Sequence, residues 1–456
     1  MKRGSFAALV GTPATRKGGA SSSLEQSMVI RVIFLFPFMV LCLIGLDFSL
    51  SSAHAENWPM WRGSRQNGTT QEKDLPVTWS RTENVHWRFP LPGVAPSTPV
   101  VWEDKIFLTT TVKETERLLL ICLDLSGKQL WELPIGDGPS EQLEQQNLAA
   151  PSPCTDGRHV WAFSGNGTVS CQDLSGKQIW QFHVEDRYEK VNMPWGMASS
   201  PVFGDELLYM QIFHLDSSRV VALDKLTGRE FWTLDRETDA RGKCMRSYAT
   251  PAIYRDAERE YLLSHGQDYI VAHDLQDGKE LWRCGNFHLA SGYNPSMHMS
   301  SSPVVAEGHI VVPSSSPGNF QVVRGDGAGD ISDDPHYRLW SKPISPTIPS
   351  ALVVDSLVYI CSDAGVLLCL DLATGEEVYR RAVHRHKHQA SPVYGDGKIY
   401  LTARDGTVVV VQSGRDFKIL ATNSLDEFIA ASPAISGRRI YLRTFDALYS
   451  IGDHPN

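Results

Sequence analysis

What the chain has little of narrows it first. Positive charge is short: 43 Lys and Arg stand against 52 Asp and Glu, for a net charge of −9. Nucleic-acid binding needs a basic surface to neutralise phosphates, so neither DNA nor RNA is expected as a partner. Long apolar runs are also missing. The stretch from Val32 to Leu46 falls short of the roughly 20 residues of a membrane span and contains Pro37. No two of the eight cysteines are adjacent. With 42% hydrophobic and 21% charged residues the chain is still ordinary globular material, able to bury a large core.

The N-terminal apolar run has a different use. Arg31 precedes it, and Ala53-His54-Ala55 follows with the small-x-small form read by signal peptidase. Residues 1–55 therefore read as a secretory signal cleaved after Ala55, with an uncleaved membrane anchor as the alternative. Met28-Val29-Ile30-Arg31 would itself open a normal signal, which makes Met28 a second candidate start; peptides from residues 4–24 in the cellular protein would exclude it. Leu41 stands where lipidation of Cys42 would need a small residue. The mature chain, with a net charge of −12, is expected to be periplasmic or extracellular and monomeric, with no stable membrane span.

Repetition organises the rest. Ser or Thr followed by Pro, then an apolar strand, recurs at Thr98-Pro99, Ser152-Pro153, Ser200-Pro201, Thr250-Pro251, Ser302-Pro303, Ser391-Pro392 and Ser432-Pro433, with Ser350-Ala351 as a degenerate copy. The spacing of 41 to 54 residues suits a four-stranded propeller blade. Later strands carry Asp, a Gly turn and an aromatic, placing Trp131, Trp180, Trp232, Trp282 and Tyr379 at equivalent docking positions. The last unit supplies only three strands. Val85 to Phe89, containing Trp87, reads like the missing fourth and would close the ring, removing two exposed edges. An all-β, eight-bladed propeller is predicted over residues 84–451, after a Trp-rich leader at 56–83 and before a tail at 452–456.

Ala222-Leu223-Asp224-Lys225-Leu226-Thr227-Gly228-Arg229-Glu230-Phe231-Trp232 resembles the tryptophan-docking repeat of pyrroloquinoline-quinone (PQQ) propellers at every specified position of A-x-D-x-x-T-G-x-x-x-W. Trp58-Pro59-Met60-Trp61-Arg62-Gly63 is similar to the leader of exported PQQ-repeat proteins. The superfamily includes quinoprotein alcohol dehydrogenases and the BamB outer-membrane assembly scaffold, and the chain resembles the scaffold branch more. In the dehydrogenases the resemblance implies PQQ sandwiched between a Trp and a disulfide of adjacent cysteines, with Ca²⁺ beside it; this chain has no such pair and no long insertions. The leading expectation is a non-catalytic scaffold binding protein or envelope components, without a cofactor. A PQQ- or metal-dependent oxidoreductase and a small-ligand or glycan sensor are the alternatives.

Residues before each Ser/Thr-Pro mark should line one mouth of the channel. Trp195, Arg246, Tyr248, His298, His384, His386 and His388 are the candidate binding residues there, with Met193 and Glu427 beside them. On an extended strand, His384, His386 and His388 would share a face as a candidate metal site; interleaved Arg385 and Lys387 fit a solvated loop equally. Asp326 to Asp334 has the oxygen donors of a Ca²⁺ loop without EF-hand spacing, and reads better as a solvated insertion. Cys122, Cys171 and Cys369 stand where other repeats have Ala222 and Ala272, and read as small buried hydrophobes.

Overall fold

A run such as Val202–Phe203, Leu207–Phe213, Ser218–Asp224 and Glu230–Asp235 has β-branched and aromatic residues on both faces, so it needs cover on both sides. Packing such sheets side by side around an axis provides that cover. In a computed structural model, which describes residues 55–453 apart from Lys113, 139–146, His298, Ser316 and Ser345, eight antiparallel sheets form the blades of one propeller. Of residues 1–55, read as a secretory signal, all but Ala55 lie outside the described residues. Among those described, no helix is long and apolar enough to cross a membrane.

Blade 8 consists of Ala434–Ser436, Arg439–Arg443 and Ala447–Ile451, and Val85–Pro90 is its outermost strand. Trp87 pairs with Ser450 and Phe89 with Leu448, so the two chain ends close the ring by hydrogen bonds. Two sheets depart from four strands. Gly93–Val94 joins blade 1, and Gly329–Asp330, from the Asp-rich insertion of blade 5, pairs in parallel with the outer strand of blade 4. Two of its carboxylates are hydrogen-bonded within the protein: Asp330 accepts from Ser332, and Asp333 from Asn286 beside blade 4.

The docking motif joins successive blades. Asp224 accepts from the backbone of Leu226 and Thr227 and from the Thr227 hydroxyl, fixing the hairpin turn. Gly228 completes it with a φ of +65°, and a Cβ there would stand 2.6 Å from Trp180 of the preceding blade. The Trp180 indole N–H donates to Lys225 O at 3.0 Å. Trp87, Trp131 and Trp232 make the same bond to Leu125, Leu174 and Leu275. Trp282 holds the equivalent place in blade 4, but the insertion replaces the turn it faces, and it packs on Gly327 and the edge of Tyr261. Tyr379 meets Phe417 of the next blade edge-on.

Trp340 was not among the expected docking residues. It donates to Leu372 O at 2.8 Å from blade 5 to blade 6. Blade 7 has Ala421 at this position, and the leader's Trp79 is buried in the adjoining core.

Candidate functional site: a channel closed at one end

The Ser/Thr-Pro marks build the wall of the channel. The backbone N–H of each marked residue donates to the hydroxyl of the next: Thr98 to Ser152, Ser152 to Ser200, Ser200 to Thr250, Thr250 to Ser302, Ser302 to Ser350, Ser350 to Ser391 and Ser391 to Ser432, all at 2.8–3.0 Å. Thr98 Oγ1 then donates to Ser432 O at 3.1 Å, completing the circle. Ser350 takes full part without a following proline, so the hydroxyl is the working element of the repeat. Each bond contributes about 1 kcal/mol net, while an N–H left unpaired there would cost about 1–3 kcal/mol.

Two residues before each of these positions, the side chains form a second tier lining a cavity of about 220 Å³. Pro96, Ala150, Ala198, Ser300 and Ala430 leave room; Tyr248, Ile348 and Gln389 narrow it. The alternation matches the two-residue period of extended chain. Trp195 stands at the rim, 40% exposed, and carries the cavity to solvent.

The opposite mouth is crossed by the leader. Trp58 pairs with Val101 of blade 1, and Pro59 O accepts from Thr155 of blade 2. Three residues later Arg62 donates to Ala351 O at blade 6, at 2.6 Å, from a fully buried position. Blades 2 and 6 face one another across an eight-bladed ring, so the chain passes over the axis. Gln66 then binds Pro251 and Ile253 of blade 4, Gly68 and Thr70 pair with Tyr394 of blade 7, and Glu72 accepts from Gly437 and Arg438 of blade 8. Trp61 lines the cavity from this side with the Arg62 guanidinium 5.7 Å from its ring; burial pulls the Arg62 pKa down to about 9. The channel is therefore a cup, with the leader beneath it.

The candidate mouth residues are placed differently from one another. Trp195 and Tyr248 line the cup. Arg246 does not: it lies two residues deeper in the connection, buried, with its guanidinium 5.9 Å from the Tyr248 ring. His298 lies outside the described residues. Met193 caps a turn through its carbonyl, which accepts from Gly196. Glu427 turns inward to Arg88, while its neighbour Phe428, absent from the candidates, is 52% exposed.

His384, His386 and His388 lie not on the extended strand expected of them but in a bend between blades 6 and 7. His386 N–H donates to His384 O, so the segment turns; the His384 and His386 rings stack with centroids 5.9 Å apart, and the His388 ring stands edge-on 6.3 Å from His384. His384 pairs with Asp405 at 2.8 Å, while His388 is buried with Nδ1 on His386 O. Burial pushes the His388 pKa down, keeping that ring neutral.

Among the described residues, one group of three potential metal ligands converges: Cys244, Asp268 and His288. Sequence gave no hint of it, since its members are scattered between blades. Its chemistry does not suit a metal. His288 Nδ1 accepts from Asn294 N–H, which leaves the proton of the neutral ring on Nε2, 3.0 Å from Asp268 Oδ1. The Cys244 thiol meanwhile donates to Asn294 O at 3.3 Å. The seven described cysteines are all buried and unpaired.

The oxidoreductase alternative would need a quinone site, and the cup does not fit one. PQQ is a polycarboxylate held with Ca²⁺, yet among the described residues no Lys, Arg, His, Asp or Glu lines this cavity.

A family model described as outer membrane protein assembly factor BamB matches residues 118–381, more than half of the chain. The chain belongs to the BamB family of PQQ-repeat propellers. No curated protein matches it in sequence. Among solved structures, BamB from Moraxella catarrhalis is similar over 81% of this chain and 98% of its own, with a TM-score of 0.60 at 14% identity. A europium-containing methanol dehydrogenase covers 86% of this chain and 90% of its own (TM-score 0.64, 11% identity). The quinohemoprotein alcohol dehydrogenase from Comamonas testosteroni covers 88% and 81% (TM-score 0.65, 12% identity). At such identities the likeness concerns the fold, which BamB and the two dehydrogenases share.

Proposed function

We propose that this BamB-family chain is an exported, non-catalytic scaffold that holds a protein component of the cell envelope at the open mouth of its channel. The observation that carries the reading is the inequality of the two mouths. One is spanned by the leader, whereas the other presents Trp195 and Phe428, 40% and 52% exposed, on connections between blades 2 and 3 and blades 7 and 8. Large aromatics in a polar surround are the usual anchors of protein interfaces. A family described as outer membrane protein assembly factors supports an envelope partner, and the uncharged cup supports a binding role over quinone chemistry.

The test is affinity capture from solubilised envelope with the mature protein and with the Trp195→Ala/Phe428→Ala variant. Loss of a specific envelope protein from the variant, with an unchanged melting temperature, supports the reading. Equal capture by both overturns this mouth as the binding face.

A further inference from the structure

The floor and wall of the cup have chemistry that protein docking alone does not use. Six of the eight circle hydroxyls line it, among them Ser152, Ser200, Thr250 and Ser302. Each of these oxygens already accepts a backbone N–H from the neighbouring blade, which fixes its position and leaves its O–H proton and second lone pair for the channel. The wall thus offers groups that both donate and accept. Trp61 below, with Tyr248 and Trp195 toward the rim, adds aromatic surface, and among the described residues no charged side chain lines the space.

We infer that the cup binds one neutral sugar ring. A pyranose presents hydroxyls that also donate and accept, and apolar C–H faces that stack on aromatic rings. An uncharged cavity neither demands nor rewards a carboxylate, phosphate or ammonium group, each of which would lose hydration without gaining a counter-charge. The volume of about 220 Å³ lies below the roughly 300–1,000 Å³ typical of pockets for drug-sized ligands, which limits the occupant to about one ring. Because the cup opens past Trp195, that ring is either a free monosaccharide or the end of a longer glycan. The inference rests on the cup itself and stands apart from the protein-partner reading.

The experiment is isothermal titration calorimetry of the mature protein with glucose, mannose and N-acetylglucosamine, each also as a terminal residue of a short oligosaccharide, and with charged glucuronate and glucosamine. Saturable 1:1 binding of at least one neutral sugar is expected, with the charged sugars at least about tenfold weaker; the oligosaccharide arm separates free sugar from glycan end. Trp195→Ala should weaken binding about fivefold or more, and Ala430→Trp, which fills the cup without removing a contact, should abolish it. Phe428→Ala, outside the cup, should leave it unchanged. The inference fails if no neutral sugar binds, if charged sugars bind as well, or if binding survives both Trp195→Ala and Ala430→Trp. Since partner capture is a separate measurement, failure here leaves the scaffold reading intact.

Discussion

Arg88 and Glu427, 339 residues apart in sequence, meet at 3.0 Å and tie the strand that closes the ring to the connection entering blade 8. Glu427 also accepts from the hydroxyls of Tyr449 at 2.7 Å and Thr444 at 2.6 Å. Its carboxylate therefore gathers both sides of the ring's non-covalent seam. Glu427→Ala should destabilise the whole domain by about 1–3 kcal/mol, because it removes the carboxylate that accepts from Tyr449 and Thr444 and faces half-exposed Arg88. Urea denaturation followed by tryptophan fluorescence measures this; a loss below about 0.5 kcal/mol would mean that the seam is held by strand pairing alone.

The same carboxylate gives the stability a pH dependence. Burial opposes its ionisation, but the Thr444 and Tyr449 hydroxyls and Arg88 outweigh burial and hold its pKa below the ordinary value. A depressed folded-state pKa adds stability that is complete above the unfolded value of about 4.3 and disappears as pH falls through the folded one. Thermal melts from pH 7 to pH 3 should show the advantage of wild type over Glu427→Gln shrinking below about pH 4. A constant gap would contradict it.

Gly228 and Gly308 separate backbone strain from blade contact. Both have positive φ, +65° and +74°, but only Gly228 lies against a neighbour, Trp180, whereas a Cβ at Gly308 meets nothing within 4 Å. Gly308→Ala should cost about 1 kcal/mol, and Gly228→Ala clearly more, because the indole must also move. Equal losses in denaturant titrations would show that the Trp180 contact has no energetic weight.

Ser350→Ala tests the hydroxyl circle at its one copy without proline. Removing the acceptor leaves the Ser302 N–H buried and unpaired, at a cost of about 1–3 kcal/mol. A neutral result would assign the circle no role in stability.

Reconstitution with PQQ and Ca²⁺ should give no alcohol or sugar oxidation in a dye-linked assay, since among the described residues the cup has neither a cation for the quinone's carboxylates nor an acidic ligand for the metal. Turnover that disappears when PQQ is withheld would overturn the non-catalytic reading.

Blade number and closure were legible because they rest on local repetition: a Thr/Ser-Pro mark, a Gly turn and a short final unit. Trp340 was missed because residues 325–337 split the motif, so that its turn and its tryptophan no longer stood four residues apart. The fates of Glu427 and Phe428 could not be read from sequence either. Adjacent residues face opposite ways there because Arg88, from the far end of the chain, supplies the inward partner. The histidines do not form a strand face because one local bond, His386 N–H to His384 O, bends the segment, and alternation holds only while a strand stays extended; the bend groups the rings instead. The leader's route over the axis was invisible for a related reason: many of its bonds go to backbone groups, which leave no mark in side-chain patterns.

That route also sets a standard of length. From Pro59 to the guanidinium of Arg62 the chain reaches from the inner strand of blade 2 to that of blade 6, and a segment so short has a fixed maximum span. A ring of seven or nine blades would have another diameter and would no longer set two blades face to face. The leader thus works as a gauge of circumference: duplication or loss of a blade would cost not only the packing of that blade but also the fit of the crossbar beneath all the others.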